Sequence, residues 1–223
     1  MGDGDTDKDV WDAYNLLLSG PDVERLRKLC ARYELFRMSV EIPGDIIECG
    51  VLKGTGLLLW LKLLKIHSDG SAKRVIGFDL FEGGDLGAEG RDRAEVVNFF
   101  HESGYEGVTT QQIYNLVSAA GLDLKNCELV EGDVRETAPA FTASRPGFRI
   151  SLLNMDMDLA TPTKAALECL WPRVSPGGIV IFDEYGVDRW SESAAVNEFI
   201  EQSGVELRSL TWARTPTAYI VKR

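Results

Sequence analysis

Two short acidic clusters, Asp156-Met157-Asp158 and Asp183-Glu184, have the residue types and spacing for metal chemistry. Each follows an apolar run that reads as a buried strand, Arg149 to Met155 and Gly178 to Phe182, which places the acids at strand ends. In an open parallel sheet, ligands gather at the carboxyl ends of the strands, so the two clusters are expected to converge. Like charges crowded together are costly unless a cation sits among them. Either cluster alone would suit solvated strand-end acids, whereas both together suit a divalent cation. Hard oxygen ligands favour Mg²⁺, with Mn²⁺ or Ca²⁺ as rivals, and the lack of nearby Cys or His disfavours Zn²⁺.

A second signal lies upstream in Ile47-Glu48-Cys49-Gly50-Val51-Leu52-Lys53-Gly54-Thr55-Gly56, an E-x-G-x-x-x-G-x-G turn between a strand and a helix. Glycines let the backbone approach a ligand, and a helix N-terminus offers free N–H groups to a carboxylate or phosphate. The dinucleotide fingerprint is G-x-G-x-x-G. Here the first two glycines are four residues apart and an acid precedes the first by two, which favours S-adenosylmethionine (SAM) over a nicotinamide cofactor. Glu48, Gly50, Gly54, Thr55 and Gly56 are therefore candidate cofactor residues. Asp79, with Leu80 beside it, ends the next strand, where a carboxylate can accept two ribose hydroxyls. Gly132, Asp133 and Val134 leave the third strand at the expected level of an adenine, although Gly-Asp after a strand is also ordinary turn chemistry.

The elements that must position these residues alternate. Apolar residues at three- and four-residue steps from Val10 to Phe36 predict helices broken at Ser19-Gly20-Pro21. Strands follow at Asp45 to Cys49, Arg74 to Phe78 and Cys127 to Glu131, then the two that precede the acidic clusters. Helices read at Thr55 to Ile66, Thr163 to Leu170 and Ser193 to Gln202. Val205 to Trp212 and Ala218 to Val221 close the chain as an antiparallel hairpin. The fold class is thus α/β, a Rossmann-like, seven-stranded, mostly parallel sheet in one domain with N-terminal helices over 1–40. Residues 83–124 interrupt the alternation as a lid or substrate-binding insertion.

Composition narrows the partners. Against 35 acidic residues stand 24 Lys and Arg, and a net charge of −11 with no basic stripe repels a phosphate backbone or an anionic membrane. No apolar run approaches a bilayer span, so neither nucleic acid nor membrane is expected. Met1-Gly2-Asp3-Gly4-Asp5-Thr6 lacks a secretory pattern, and a cytoplasmic location is expected; its loose fit to an N-myristoylation pattern lacks the basic patch that would support it. Cys30, Cys49, Cys127 and Cys169 are widely spaced and read as reduced thiols.

Taken together, Ile47-Glu48-Cys49-Gly50, Gly77-Phe78-Asp79-Leu80-Phe81-Glu82-Gly83, Asp156-Met157-Asp158-Leu159, Ser175-Pro176-Gly177-Gly178 and Phe182-Asp183-Glu184-Tyr185-Gly186 resemble the macrocin and mycinamicin type sugar O-methyltransferases of natural product biosynthesis. Catechol O-methyltransferase is a more distant likeness. The resemblance implies SAM-dependent methylation of a hydroxyl on a small-molecule acceptor, self-association into a homo-oligomer, and Mg²⁺ held by Asp156, Asp183 and Glu184. This chain departs from the pattern at Ala160, where a Tyr is usual, and at Glu184, where an Asp is usual; these departures bear on which acceptor fits. Asp156 is a candidate for both ligand and general base, and His101, within the lid segment, is a second candidate base. A nicotinamide-dependent oxidoreductase and a non-catalytic nucleotide- or metal-binding domain are the competing classes.

Overall fold

The computed structural model describes residues 3–67, 70, 72–82, 88 and 90–223. Met1-Gly2 and most of the glycine-rich start of the expected lid, 83–87 and 89, lie outside the described residues. Two helices, α1 (Asp3–Ser19) and α2 (Glu24–Ser39), precede β1 (Asp45–Cys49), α3 (Thr55–His67) and β2 (Val75–Asp79). Helices α4 (Gly90–Ser103) and α5 (Thr110–Ala119) lead to β3 (Cys127–Glu131), α6 (Val134–Ser144) and β4 (Ile150–Met155). The chain ends with α7 (Ala160–Leu170), β5 (Val174–Phe182), α8 (Glu192–Ser203), β6 (Leu207–Arg208) and β7 (Ala218–Val221).

The seven strands form one sheet in the order β3-β2-β1-β4-β5-β7-β6. All pairs are parallel except those of β7 with β5 and β6. The expected architecture and C-terminal hairpin are present, with a shorter β6 than the apolar run from Val205 suggests. Two elements differ from the sequence reading. The 83–124 segment is not one long loop: it holds α4 and α5, the latter started by a capping box in which Thr109 and Gln112 satisfy each other's backbone N–H groups. Helix α6 forms despite Pro139 and is capped by Asp133, whose side chain accepts from the Arg135 N–H.

Side chains of the central strands alternate between two apolar layers. Ile46, Val75, Leu152, Ile179 and Ile181 pack with α2, α3 and α5, while Ile47, Ile76, Phe78, Leu153, Met155, Val180 and Phe182 pack with α6, α7 and α8. Burying each such side chain contributes roughly 1.5–3 kcal/mol, so a one-residue slip of register would be severely disfavoured. Register is what assembles the site. Phe78, Cys49, Met155 and Phe182 stand opposite one another across β2-β1-β4-β5, so the next residues, Asp79, Gly50, Asp156 and Asp183, fall along one edge.

Candidate active site at the carboxyl edge of the sheet

Gly50 turns the chain out of β1 at φ +94°, and a Cβ there would come 1.9 Å from the Asp156 carbonyl oxygen, so only glycine lets β1 and β4 end side by side. The turn that follows is held by Asp79. Its Oδ2 accepts from the backbone N–H groups of Val51 at 2.6 Å and Leu52 at 2.8 Å, and its Oδ1 accepts from the Phe81 N–H at 3.1 Å. Asp79 therefore anchors the glycine turn, a role additional to the ribose contact its position suggests. Leu52 and Phe81 both sit at positive φ, 49° and 55°, a cost the anchored turn supports.

The described edge encloses a cavity of about 320 Å³. Gly50, Asp79, Leu80, Gly132, Asp133 and Val134 line it, as do Asp156 and Asp158. Four residues of the expected cofactor set do not. Glu48 is buried, its Oε1 accepting from Trp60 Nε1 and Asn154 Nδ2, both at 3.3 Å; burial, opposed by Arg32, raises its pKa to about 8. Gly56 makes room for it, since a Cβ there would meet Glu48 Oε1 at 2.0 Å. Gly54 packs on Ile113, and Thr55 begins α3. The acid and the later glycines of the motif thus serve the packing of α3 on β1. Asp133 lines the cavity while its carboxylate caps α6 and pairs with Arg135.

At the other end of the cavity the acids are crowded. Carboxylate oxygens of Asp156, Asp158 and Glu184 lie within 4.8 Å of one another. Asp183, fully buried, lies apart from that set: its Oδ1 accepts from Arg32 Nη2 at 3.1 Å and its Oδ2 is paired with the Lys28 ammonium. Arg32 Nη2 also reaches Asp156 Oδ2 at 2.6 Å, and Lys28 Nζ lies 3.7 Å from it. The two cations are one turn apart on α2, so their i, i+4 spacing puts them on one face. Burial opposes the charge on Asp183, but Arg32 and Lys28 prevail and hold its pKa below the usual carboxylate range. Asp158 and Glu184 have no such partner among the described residues. Burial and the neighbouring acids push both up to about 8.

Three groups have no clear sequence signal. Lys28 and Arg32 are visible only as a charged face of α2. Glu192 ties the two acidic loops together, its backbone N–H donating to the Asp158 carbonyl and its Oε2 accepting from the Glu184 N–H. A wall of Val96, Phe99, Phe100, Tyr105 and Trp190 completes the cavity, with Arg189 bridging Glu95 and Glu102 of α4. The structure does not bring His101 into this wall: it lies exposed on α4, because Phe99 and Phe100 take the inward positions. The four cysteines are unpaired.

A family model described as macrocin-O-methyltransferase matches residues 18–214. The chain belongs to that family. Among curated relatives, the 8-demethyl-8-(2,3-dimethoxy-alpha-L-rhamnosyl)-tetracenomycin-C 4'-O-methyltransferase of Streptomyces olivaceus is 31% identical over 165 residues, 74% of this chain and 60% of the relative. The mycinamicin III 3''-O-methyltransferase of Micromonospora griseorubida is 26% identical over 167 residues, 74% of this chain and 63% of the relative. The chain thus spans about 60% of the length of the curated relatives it matches. Among solved structures, a TDP-rhamnose 3'-O-methyltransferase of calicheamicin biosynthesis superposes with a TM-score of 0.68 at 26% identity, covering 99% of this chain and 96% of that one. A second structure of a calicheamicin methyltransferase gives 0.76 at 25% identity, covering 99% and 94%. No helix of the described residues is long and apolar enough to cross a membrane.

Proposed function

We propose that this protein is a SAM-dependent O-methyltransferase acting on a hydroxyl of a natural-product sugar, with a divalent cation, Mg²⁺ by its ligand chemistry, in the acidic cluster. The supporting observation is one cavity lined at one end by the anchored glycine turn and at the other by Asp156 and Asp158, whose carboxylates lie within 4.8 Å of that of Glu184. Family membership, and relatives named as sugar methyltransferases, support the acceptor class; the nicotinamide reading gains no support from either.

The residues present fit both groups. The turn at Gly50, the carboxylates of Asp79 and Asp133, and the apolar faces of Leu80 and Val134 suit a nucleoside with a charged tail. Three convergent carboxylates, with a lysine ammonium already lodged against a fourth, are a hard oxygen donor set that accepts a cation. SAM supplies an electrophilic methyl group, and the metal lowers the pKa of a hydroxyl next to it. Asp156 and Glu184 are the ligands common to the sequence reading and to the geometry. Asp158 faces the cavity with no hydrogen bond or ion pair to its carboxylate among the described residues, placed to take the hydroxyl proton, whereas Arg32 holds Asp156 Oδ2. The α4 wall and Trp190 exclude water from the acceptor. The function of the remaining chain is alignment, which can account for a large part of such a rate enhancement.

Turnover of SAM with a deoxysugar-bearing acceptor, followed by mass spectrometry of the methylated product, tests the reading. Metal removal with EDTA is expected to abolish turnover and Mg²⁺ to restore it, while SAM affinity by calorimetry stays within about twofold, because the carboxylates of Asp79 and Asp133 make their hydrogen bonds away from the acidic cluster. Full activity after verified loss of metal would overturn the metal assignment and leave the methyltransferase reading standing.

A further inference from the structure

The geometry points to Lys28 as a tethered cation that holds the metal site in the absence of metal and is displaced from Asp183 when a divalent cation binds. This rests on the metal reading above. Asp183 is fully buried, and a buried carboxylate demands a counter-charge. Its two oxygens are divided between Arg32 and Lys28. The two cations differ in what else holds them. Arg32 is itself buried, touches Asp156 and Asp183, lies near Glu48 and rests over the Trp60 ring, so it is a fixed part of the core. Lys28 lies one turn earlier on the same face of α2; its side chain keeps 21% exposure and pairs with Asp183 and Asp156 among the described residues.

A lysine stem is flexible and its ammonium is a compact, strongly hydrated charge, so it can leave for water at little cost. A divalent cation brings twice the charge to the same oxygens. On its arrival Asp183 Oδ2 is freed to serve the metal alongside Asp156 and Glu184. Asp158 is then released from any need to be a ligand and keeps its carboxylate for the proton. The ammonium therefore removes the repulsion that would otherwise spread the empty acids apart, and the apo site is assembled before metal arrives. The occupied fraction lowers apparent metal affinity in proportion: a lysine in place about nine-tenths of the time weakens it about tenfold.

The test titrates Mn²⁺ alone into the wild-type protein and Lys28→Met by calorimetry. Displacement predicts about tenfold tighter binding in the variant; unchanged or weaker binding overturns it, since a lysine that merely braces the fold, or helps hold the metal, gives one of those results. A second measurement needs no variant. Acetic anhydride labelling of the wild-type protein, read by mass spectrometry against Lys62 as reference, is expected to rise severalfold at Lys28 when Mn²⁺ is added. No rise overturns the proposal even if Lys28→Met fails to fold. A wild-type protein that binds no Mn²⁺ marks failure of the metal reading itself, which is a separate result from binding that leaves Lys28 in place.

Discussion

At the ends of β2 and β3, Asp79 is met by backbone N–H groups of the turn after β1 and of its own loop, and Asp133 by the Arg135 N–H and guanidinium of its own loop. At the ends of β4 and β5, Asp156 and Asp183 are met by cations from a helix that precedes the whole sheet, whereas Asp158 and Glu184 form no ion pair among the described residues. The first half is closed without a ligand: Asp79 accepts three backbone N–H groups and Asp133 is met by the N–H and side chain of Arg135. The second half is charge-frustrated, with fewer fixed cations than acids, and is poised to gain from an added one. Acids at equivalent strand ends therefore do different work. In one half they build the cradle, and in the other they are the groups proposed to hold the metal and take the proton.

Substitutions at the two ends should separate these roles. Asp158→Asn carries the largest expected effect, a fall in kcat of about 10²–10⁴-fold for loss of a general base. SAM affinity should hold, and thermal stability should stay level or rise because like-charge repulsion is relieved. A melting temperature that fell instead would mean Asp158 is a structural acid like those of the first half. Asp79→Ala is expected to behave in the opposite manner. Loss of its charge-assisted hydrogen bonds costs roughly 1.5–3 kcal/mol each, seen as a lowered denaturant midpoint together with weakened SAM binding. Weakened SAM binding at unchanged stability would show that the carboxylate serves the ribose and not the turn.

Asp133→Ala should cost about 1 kcal/mol through loss of the α6 cap, measurable by urea unfolding. The smallest effect concerns Glu48, buried between the halves. Its folded-state pKa, raised to about 8 by burial against Arg32, exceeds its value in the unfolded chain. Its contribution is thus fully present below about pH 4.5 and is lost as pH rises through about 8. Glu48→Gln removes that dependence, so its melting temperature should gain on the wild type between pH 5 and pH 8. Parallel curves would show that Glu48 stays ionised beside Arg32.

The sequence by itself determined the order of the strands, the strand ends and the residues standing on them. These are local facts, written in short apolar runs and in glycine spacing, and the run Cys127 to Glu131 reads as it folds. Helix α6 was less legible because Pro139 interrupts its pattern and its capping aspartate also reads as a turn residue. The tertiary structure alone decided which partner each acid meets. Lys28 and Asp183 are 155 positions apart, and Arg32 and Asp156 are 124 apart. Nothing in the spacing of Asp156-Met157-Asp158 says that one aspartate will face a guanidinium and the other an open cavity. The positive φ of 66° at Asp158, and the packing of α2 across the sheet edge, decide it. Strand-end acids are placed by local pattern, but their charge is set by whatever the rest of the chain brings within a few ångströms, because electrostatic energy depends on distance and burial and not on separation along the chain.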